Sequence, residues 1–185
     1  LEHCGAQTLF AHSPRDLQKT AALVLPGVGS FADGMARLRE SGLDEAIRRK
    51  ASEGVPLLGI CLGMQMLFDT GYEDGETAGL GLIPGTVEPL PRLDTDGAPL
   101  RVPHVGWSGL YPSRTAGFAA SPLADVQPGE EVYFVHSFAA HPSREADRLA
   151  YTLYGGHTVC AAVQRANVTG VQFHPEKSAK TGLGI

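Results

Sequence analysis

Two continuous apolar runs in the first third of the chain have the pattern of strands that are buried on both faces. They are residues 21–27 (AALVLPG), which end in Pro-Gly, and residues 55–60 (VPLLGI). Uninterrupted apolar strands of this kind are typical of parallel sheets that helices cover on both sides. A shorter apolar run at residues 7–11 predicts a further strand. The pattern therefore indicates a parallel sheet that is formed early in the chain.

Segments with helical spacing follow these strands. Ser13 and Pro14 have the residue types of an N-cap and a first helical turn. Apolar positions that recur every three or four residues predict helices over residues 31–41, 43–53 and 62–70, with glycines at the junctions. The first half is therefore predicted to alternate strand and helix.

The second half of the chain is mostly strand-like. Short strands are predicted at residues 86–90 and 110–111, within a stretch rich in Gly and Pro. Four further runs rich in β-branched and aromatic residues predict strands over residues 131–136, 149–154, 159–164 and 168–173. The whole pattern predicts an α/β fold with a mostly parallel central sheet, flanking helices and an antiparallel β extension. We expect residues 1–185 to form a single domain.

Composition and charge exclude several classes of function. The 185 residues are 43% hydrophobic and 19% charged, with a formal net charge of −5. A net negative charge does not favour binding to nucleic acid or to an anionic membrane. No apolar run is long enough to span a bilayer. Three widely spaced cysteines, Cys4, Cys61 and Cys160, argue against a disulfide framework and favour the cytoplasm. We expect neither a metal nor a cofactor.

One cysteine stands between two glycines where a predicted strand meets a predicted helix. Residues 59–63 (GICLG) have the spacing of a nucleophile elbow, with sulfur in place of a hydroxyl. The glycines would let strand and helix approach closely, so that Cys61 stands at the tip. The following helix N-terminus would favour its thiolate. The pattern alone is equally consistent with a packed core cysteine.

A candidate base lies at the end of the last predicted strand, in residues 173–176 (FHPE). In an extended segment, residues two apart point the same way, so Glu176 would lie beside the imidazole of His174 and fix its tautomer. An H-x-E pair is also common as a surface ion pair. Since Cys61 stands in the same chain, acyl transfer by Cys61, His174 and Glu176 is the leading hypothesis.

A tetrahedral intermediate in acyl transfer needs hydrogen-bond donors. The N–H of Leu62, directly after the candidate nucleophile, is one. The glycine-rich segment around Gly29 is the other, because glycine lets backbone N–H groups face a ligand. Such a segment is also found in ordinary turns.

Three motifs resemble those of the class I glutamine amidotransferases: LPGVGSF (residues 25–31), GICLGMQ (59–65) and FHPEKS (173–178). With VPHVGW (102–107) and YFVHSF (133–138), the chain is similar, more narrowly, to the glutaminase subunits of imidazole glycerol phosphate synthase, which act in histidine biosynthesis. The resemblance covers nearly the whole chain and implies a flavodoxin-like fold. It also implies that the family's first strand and C-terminal helix are missing, so we expect this polypeptide alone to fold poorly.

The resemblance implies a mechanism and a set of site residues. Cys61 would attack the side-chain amide of L-glutamine, releasing ammonia and leaving a glutamyl thioester, while His174, oriented by Glu176, would move the protons. Further roles are implied for an oxyanion hole (Gly29 and Leu62, after a peptide flip), for binding the amino-acid end of glutamine (Gln65, Ser137 and Phe138) and for a partner interface (Val105, Trp107 and Lys177).

The implied partner is a (β/α)₈-barrel cyclase subunit in a heterodimer, which would use the ammonia to make imidazole glycerol phosphate and the by-product AICAR. The alternatives are a class I glutaminase that serves a different synthase and a non-catalytic binding module on the same fold. Two alternatives to the interface roles also remain open, namely that Trp107 lies in the core and that Lys177 is a solvated surface charge. Two residues depart from the family pattern, namely Ser108, where Asn is usual, and Phe138, where Tyr is frequent.

Overall fold

The computed structural model describes residues 2, 5–113 and 117–185. Its strands are β1 Leu23–Gly27, β2 Leu57–Cys61, β3 Phe68–Gly71, β4 Thr77–Ala78, β5 Ile83–Pro89, β6 His104–Gly109, β7 Tyr111–Pro112, β8 Glu131–His136, β9 Phe138–Pro142, β10 Arg148–Tyr154, β11 His157–Arg165 and β12 Val168–Val171. Its helices are α1 Phe31–Glu40, α2 Leu43–Ser52, α3 Leu62–Gln65 and α4 Ala179–Leu183. Short 3₁₀ helices cover Pro14–Leu17, Glu145–Asp147 and Pro175–Lys177.

The central sheet has six strands in the order β1-β2-β12-β11-β10-β7. β1 and β12 flank β2 and run parallel to it, whereas β11, β10 and β7 continue the sheet in antiparallel pairing. This arrangement confirms the predicted parallel sheet with an antiparallel extension. A four-stranded sheet (β4-β3-β5-β9) and an antiparallel pair (β6-β8) complete the strand architecture.

Two large apolar clusters hold these layers together. The first contains Phe31 and Met35 of α1, Ile47 of α2 and Phe68 of β3, together with residues of β1 and β2. The second joins β8, β10, β11 and β12 to buried residues of segment 118–126. Ser30 caps α1: its hydroxyl accepts the backbone N–H of Asp33 at 3.2 Å, the usual hydrogen bond of a helix N-cap.

Several predicted elements take a different form in the structure. Residues 7–11 form no strand. Leu9 and Phe10 are 67% and 84% exposed, so no described residue covers their side chains. The start predicted at Ser13 and Pro14 is a capped 3₁₀ turn rather than an α-helix. The helix predicted over residues 62–70 ends at Gln65, and the chain then forms β3. Phe68 there pairs in parallel with Ile83 and is fully buried, so tertiary packing overrides the helical pattern.

In the described part of the chain, no helix combines the length and the apolar character that crossing a membrane requires.

Candidate active site

Cys61 forms the sharp turn between β2 and α3. Its backbone has φ 54° and ψ −112°, a conformation that costs an L-residue about 1–3 kcal/mol. The neighbouring glycines permit this turn. A Cβ added to Gly59 would lie 2.8 Å from the carbonyl oxygen of Gly63, and one added to Gly63 would lie 1.7 Å from the carbonyl oxygen of Leu25. The close approach of strand and helix predicted from the G-x-C-x-G spacing is confirmed.

The Cys61 thiol is buried, and burial raises its pKa above the ordinary value of 9.0. A hydrogen bond from the Leu62 N–H and the charge of Lys177 oppose this effect, whereas the charge of Glu176 adds to it. The predicted preference for thiolate is therefore wrong for this state. α3 has only four residues, and desolvation outweighs the donor at its start.

Two further hydrogen bonds hold the sulfur. The thiol donates to the carbonyl oxygen of Val135 at 3.9 Å, and the side-chain amide of Gln172 donates to the sulfur from Nε2 at 3.8 Å. Gln172 is fully buried and was not singled out from the sequence. The sequence does mark it, because Gln172 is a polar residue flanked by the apolar residues Val171 and Phe173, and it lies two residues before His174.

His174 and Glu176 form a close pair. Nδ1 of the buried imidazole lies 2.7 Å from Oε1 of Glu176, whose side chain is 57% exposed. The extended segment predicted here is wrong, since residues Pro175–Lys177 form a 3₁₀ turn, yet that turn still brings the two groups together. Because a carboxylate only accepts, Nδ1 carries the proton. Nε2 of His174 is buried and has no hydrogen-bond partner among the described residues.

The site is an open cavity at the carboxyl ends of the three parallel strands β1, β2 and β12, where ligands gather in α/β sheets. The cavity brings together eight residues assigned from the sequence: Gly29, Cys61, Leu62, Gln65, Ser137, Phe138, His174 and Lys177. Glu176 is not among the residues that line the cavity, and its link to the site is its hydrogen bond with His174. Val105 and Trp107 do not line the cavity.

Glu73 also lines the cavity, although no sequence pattern predicts it there. Its Oε2 accepts the backbone N–H of Phe31 at 2.7 Å. Among the described lining residues it is the only carboxylate. An acidic residue in the polar segment 72–76 carries no local signal of a site, because its position depends on contact with the start of α1.

A buried histidine pair lies beside the cavity. Nδ1 of His136 donates to the carbonyl oxygen of Phe138 at 2.8 Å, which leaves Nε2 to accept from Nδ1 of His104 at 3.1 Å. Nε2 of His104 in turn accepts from the hydroxyl of Ser108 at 3.0 Å. Burial lowers the pKa of each histidine to about 4, so both are neutral at pH 7.

The residues predicted for a partner interface are exposed: Val105 and Trp107 lie on β6, and Lys177 lies in the 3₁₀ turn Pro175–Lys177. Val105 and Trp107 are 52% and 48% exposed, so the alternative of a core position for Trp107 is wrong. Trp107 packs edge-on against Tyr133 with ring centroids 6.0 Å apart, and Nζ of Lys177 lies 5.7 Å from the same Tyr133 ring. This partner patch consists of Val105, Trp107, Tyr133 and Lys177.

The described residues contain no group of three or more His, Cys, Asp or Glu side chains arranged to hold a metal ion. Cys160 is a free, buried thiol. Cys4 lies outside the described residues.

Comparisons with known proteins show the family of this chain. The family model for glutamine amidotransferase class-I matches residues 3–183. An imidazole glycerol phosphate synthase subunit HisH from Geobacillus thermodenitrificans is 46% identical over 185 residues, covering 100% of this chain and 84% of the relative. A subunit HisH 1 from Legionella pneumophila strain Lens is 42% identical, covering 100% of this chain and 87% of the relative.

Solved structures share the fold at lower sequence identity. A crystal structure of a glutamine amidotransferase aligns with a TM-score of 0.71 at 21% identity, covering 98% of this chain and 85% of the other. PurLQS from Thermotoga maritima aligns with a TM-score of 0.63 at 20% identity, covering 91% of this chain and 77% of the other. The resemblance read from the sequence motifs is confirmed: the chain belongs to the class-I glutamine amidotransferase family and, within it, to the imidazole glycerol phosphate synthase subunits named HisH.

Proposed function

We propose that this chain is the glutaminase subunit of an imidazole glycerol phosphate synthase. It would hydrolyse L-glutamine and deliver the ammonia to a (β/α)₈-barrel cyclase subunit. One observation carries the proposal within this family. A strained cysteine turn and a buried imidazole line the same cavity at the ends of the parallel strands, and Nε2 of that imidazole is unpaired within the described part of the chain.

The first half of the reaction forms a thioester. Since burial keeps the Cys61 thiol protonated, its proton must pass to Nε2 of His174 as the sulfur attacks the side-chain carbonyl carbon of glutamine. Glu176 stabilises the imidazolium through Nδ1. The imidazolium then protonates the amide nitrogen, ammonia leaves, and a glutamyl thioester remains on Cys61.

Hydrolysis of the thioester completes the cycle. Ammonia has left the site, and His174 removes a proton from water through Nε2, so that the water attacks the thioester carbonyl carbon. The tetrahedral intermediate collapses, glutamate leaves, and the proton returns to the sulfur.

Gly29 and Leu62 are the candidate oxyanion donors. Leu62 directly follows the nucleophile, and its N–H lies close enough to Cys61 to stabilise negative charge on the sulfur. Gly29 has φ +101° and open space around its Cα, so the peptides beside it are free to reorient. A peptide flip at Gly29 would aim a second N–H at the developing oxyanion.

The amino-acid end of glutamine needs acceptors for its ammonium group. Glu73 supplies a carboxylate on the cavity wall. Gln65 has both amide hydrogens engaged, with the carbonyl oxygen of Phe138 at 3.2 Å and Oε1 of Gln172 at 2.9 Å, so only its Oε1 remains available to a substrate. Ser137 and Phe138 also line the cavity.

The partner patch is the proposed contact with the cyclase subunit. An exposed Trp ring and a half-buried Tyr ring beside a lysine are typical of residues that anchor a protein interface. Lys177 both contacts the Tyr133 ring and lines the cavity, so the patch adjoins the cavity in which ammonia is released. Two free buried thiols, Cys61 and Cys160, support a reducing compartment, and we place the enzyme in the cytoplasm.

The test is glutamate release by the full-length protein, with and without a barrel cyclase and its substrate. We expect glutaminase activity that rises when the cyclase is present and that Cys61→Ala abolishes. Trp107→Ala should weaken the response to the cyclase, whereas Leu153→Ala, an equally exposed residue outside the partner patch, should not. Activity that survives in Cys61→Ala would refute the mechanism, and an active enzyme that ignores the cyclase would favour a different synthase.

A further inference from the structure

We infer that Gln172 is a positioning residue for the Cys61 sulfur: its buried amide donates a hydrogen bond that holds the sulfur and stabilises the thiolate as it forms. The inference rests on the proposed function, because it concerns the same nucleophile. Three features carry it, namely the enforced orientation of the amide, its burial and its contact with the sulfur.

The orientation of the Gln172 amide follows from a neighbouring carbonyl group that can only accept hydrogen bonds. The backbone carbonyl of Phe138 can only accept, so the Gln65 atom 3.2 Å from it must be the amide nitrogen. That nitrogen also lies 2.9 Å from Gln172, and the facing atom of Gln172 must therefore be its oxygen. The nitrogen of Gln172 is left to face Sγ of Cys61, 3.8 Å away.

Burial makes this contact specific. The Gln172 side chain is fully buried, and its backbone N–H donates to the carbonyl oxygen of Ala161 at 2.8 Å, which ties residue 172 to β11. A buried amide without partners would be costly, and here Oε1 and Nε2 each have one. The series of hydrogen bonds from Gln65 through Gln172 to Cys61 therefore fixes which end of the Gln172 amide faces the sulfur.

The contact differs between the two protonation states of Cys61. The neutral thiol donates to the carbonyl oxygen of Val135 at 3.9 Å and accepts from Gln172. When the proton leaves toward His174, the bond to Val135 is lost and the bond from Gln172 becomes charge-assisted, hence shorter and stronger. Gln172 therefore favours the thiolate, which matches its lowering effect on the pKa of Cys61.

Other charged and titratable groups also face this sulfur. Lys177 favours the thiolate and Glu176 disfavours it. His174, His136 and Glu73 share the cavity wall. None of these groups changes when Gln172 is replaced, so a shift in the thiol titration reports on the amide itself.

The experiment compares two substitutions in the full-length protein, assayed with a barrel cyclase subunit. Gln172→Met keeps the approximate length of the side chain and removes both polar groups. Gln172→Glu keeps the size and an acceptor for Gln65 but removes the donor to sulfur. Thr152→Val is the matched control, because it also removes a fully buried polar atom, Oγ1 of Thr152, and lies outside the site.

The readouts are the pH profile of Cys61 alkylation by iodoacetamide and the kinetics with glutamine. For Gln172→Met we expect the alkylation midpoint to rise by about one pH unit, with kcat about tenfold lower and KM nearly unchanged. Gln172→Glu should not restore the wild-type profile and should shift the midpoint further, because its charge at high pH opposes a second charge on sulfur. The control should match wild type.

A purely structural role for Gln172 predicts the opposite order, with the isosteric glutamate close to wild type and the methionine impaired. That order, or wild-type profiles in both variants, would overturn the inference. If Gln172→Met fails to fold, the isosteric Gln172→Glu still decides between the two roles. These outcomes are separable from failure of the proposed function, which would show as glutaminase activity in Cys61→Ala.

Discussion

Nδ1 of His174 lies 2.7 Å from Oε1 of Glu176, two residues further along the chain. The carboxylate fixes the tautomer that carries its proton on Nδ1. In the proposed mechanism, Nε2 takes the Cys61 proton and the carboxylate stabilises the imidazolium that results. The pair is local in sequence, but its role depends on Cys61, which belongs to a different strand-end turn of the parallel sheet.

Glu176→Gln should lower kcat without unfolding the protein. The amide retains an acceptor for the Nδ1 proton but loses the charge that stabilises imidazolium. Because this carboxylate is 57% exposed, we expect a loss of about 10–10²-fold, measured as glutamate release. The matched control is Glu53→Gln, which removes a carboxylate from a surface ion pair with Lys50 at 3.0 Å and should leave the rate unchanged. Equal rates in wild type and Glu176→Gln would contradict the assigned role.

The strained backbone of Cys61 predicts an unusual order of stability. At φ 54°, glycine meets no steric penalty, whereas alanine retains it. Cys61→Gly should therefore be about 1 kcal/mol more stable than Cys61→Ala, although both are inactive. Chemical denaturation of the two variants measures the difference. A more stable alanine variant would show that the turn relaxes when the sulfur is removed.

The two described cysteines should differ in reactivity. Cys61 lines the cavity, whereas burial raises the pKa of Cys160 to about 12. Iodoacetamide should therefore label Cys61 at a rate that increases with pH, because its thiol pKa is also raised, and should leave Cys160 unmodified until the protein unfolds. Peptide mapping after timed quenching, in a Cys4→Ser background, measures both rates. Comparable labelling of Cys160 in the native state would contradict its burial.

The buried pair His104 and His136 predicts that stability falls on acidification. Their pKa values are about 4 in the folded protein and near the ordinary 6.5 when unfolded, so the unfolded chain binds more protons between these limits. The stability they contribute is complete above pH 6.5 and declines as the pH falls to about 4. His136→Gln removes one of the two groups, so its free energy of unfolding should depend less steeply on pH in this window. Parallel slopes for wild type and variant in denaturant titrations would contradict this assignment.

Features encoded by neighbouring residues were predictable from the sequence. The apolar runs predicted β1 and β2. The glycines around Cys61 predicted the tight turn, because the close approach of Gly59 to the carbonyl oxygen of Gly63, which leaves no room for a Cβ, is a contact between near neighbours in the chain. The segment at Phe68 was mispredicted, since its helical spacing is overridden by parallel pairing with Ile83.

Contacts between distant segments could not be read from the sequence. Gln172 and Cys61 are 111 residues apart and meet only because β12 and β2 are neighbours in the sheet. Glu73 enters the cavity through its bond to the start of α1, and no local pattern marks it. The balance that raises the pKa of Cys61 likewise depends on the burial of the turn, which the elbow spacing alone does not determine.

Affinity labelling tests most directly whether Cys61 is the nucleophile that attacks glutamine. The full-length protein is treated with a chloroketone analogue of glutamine, and the modified peptide is identified while glutaminase activity is followed. We predict that a single modification on Cys61 accumulates in step with the loss of activity and that glutamine slows both. Inactivation with modification at another residue, or full modification of Cys61 with activity intact, would contradict the mechanism.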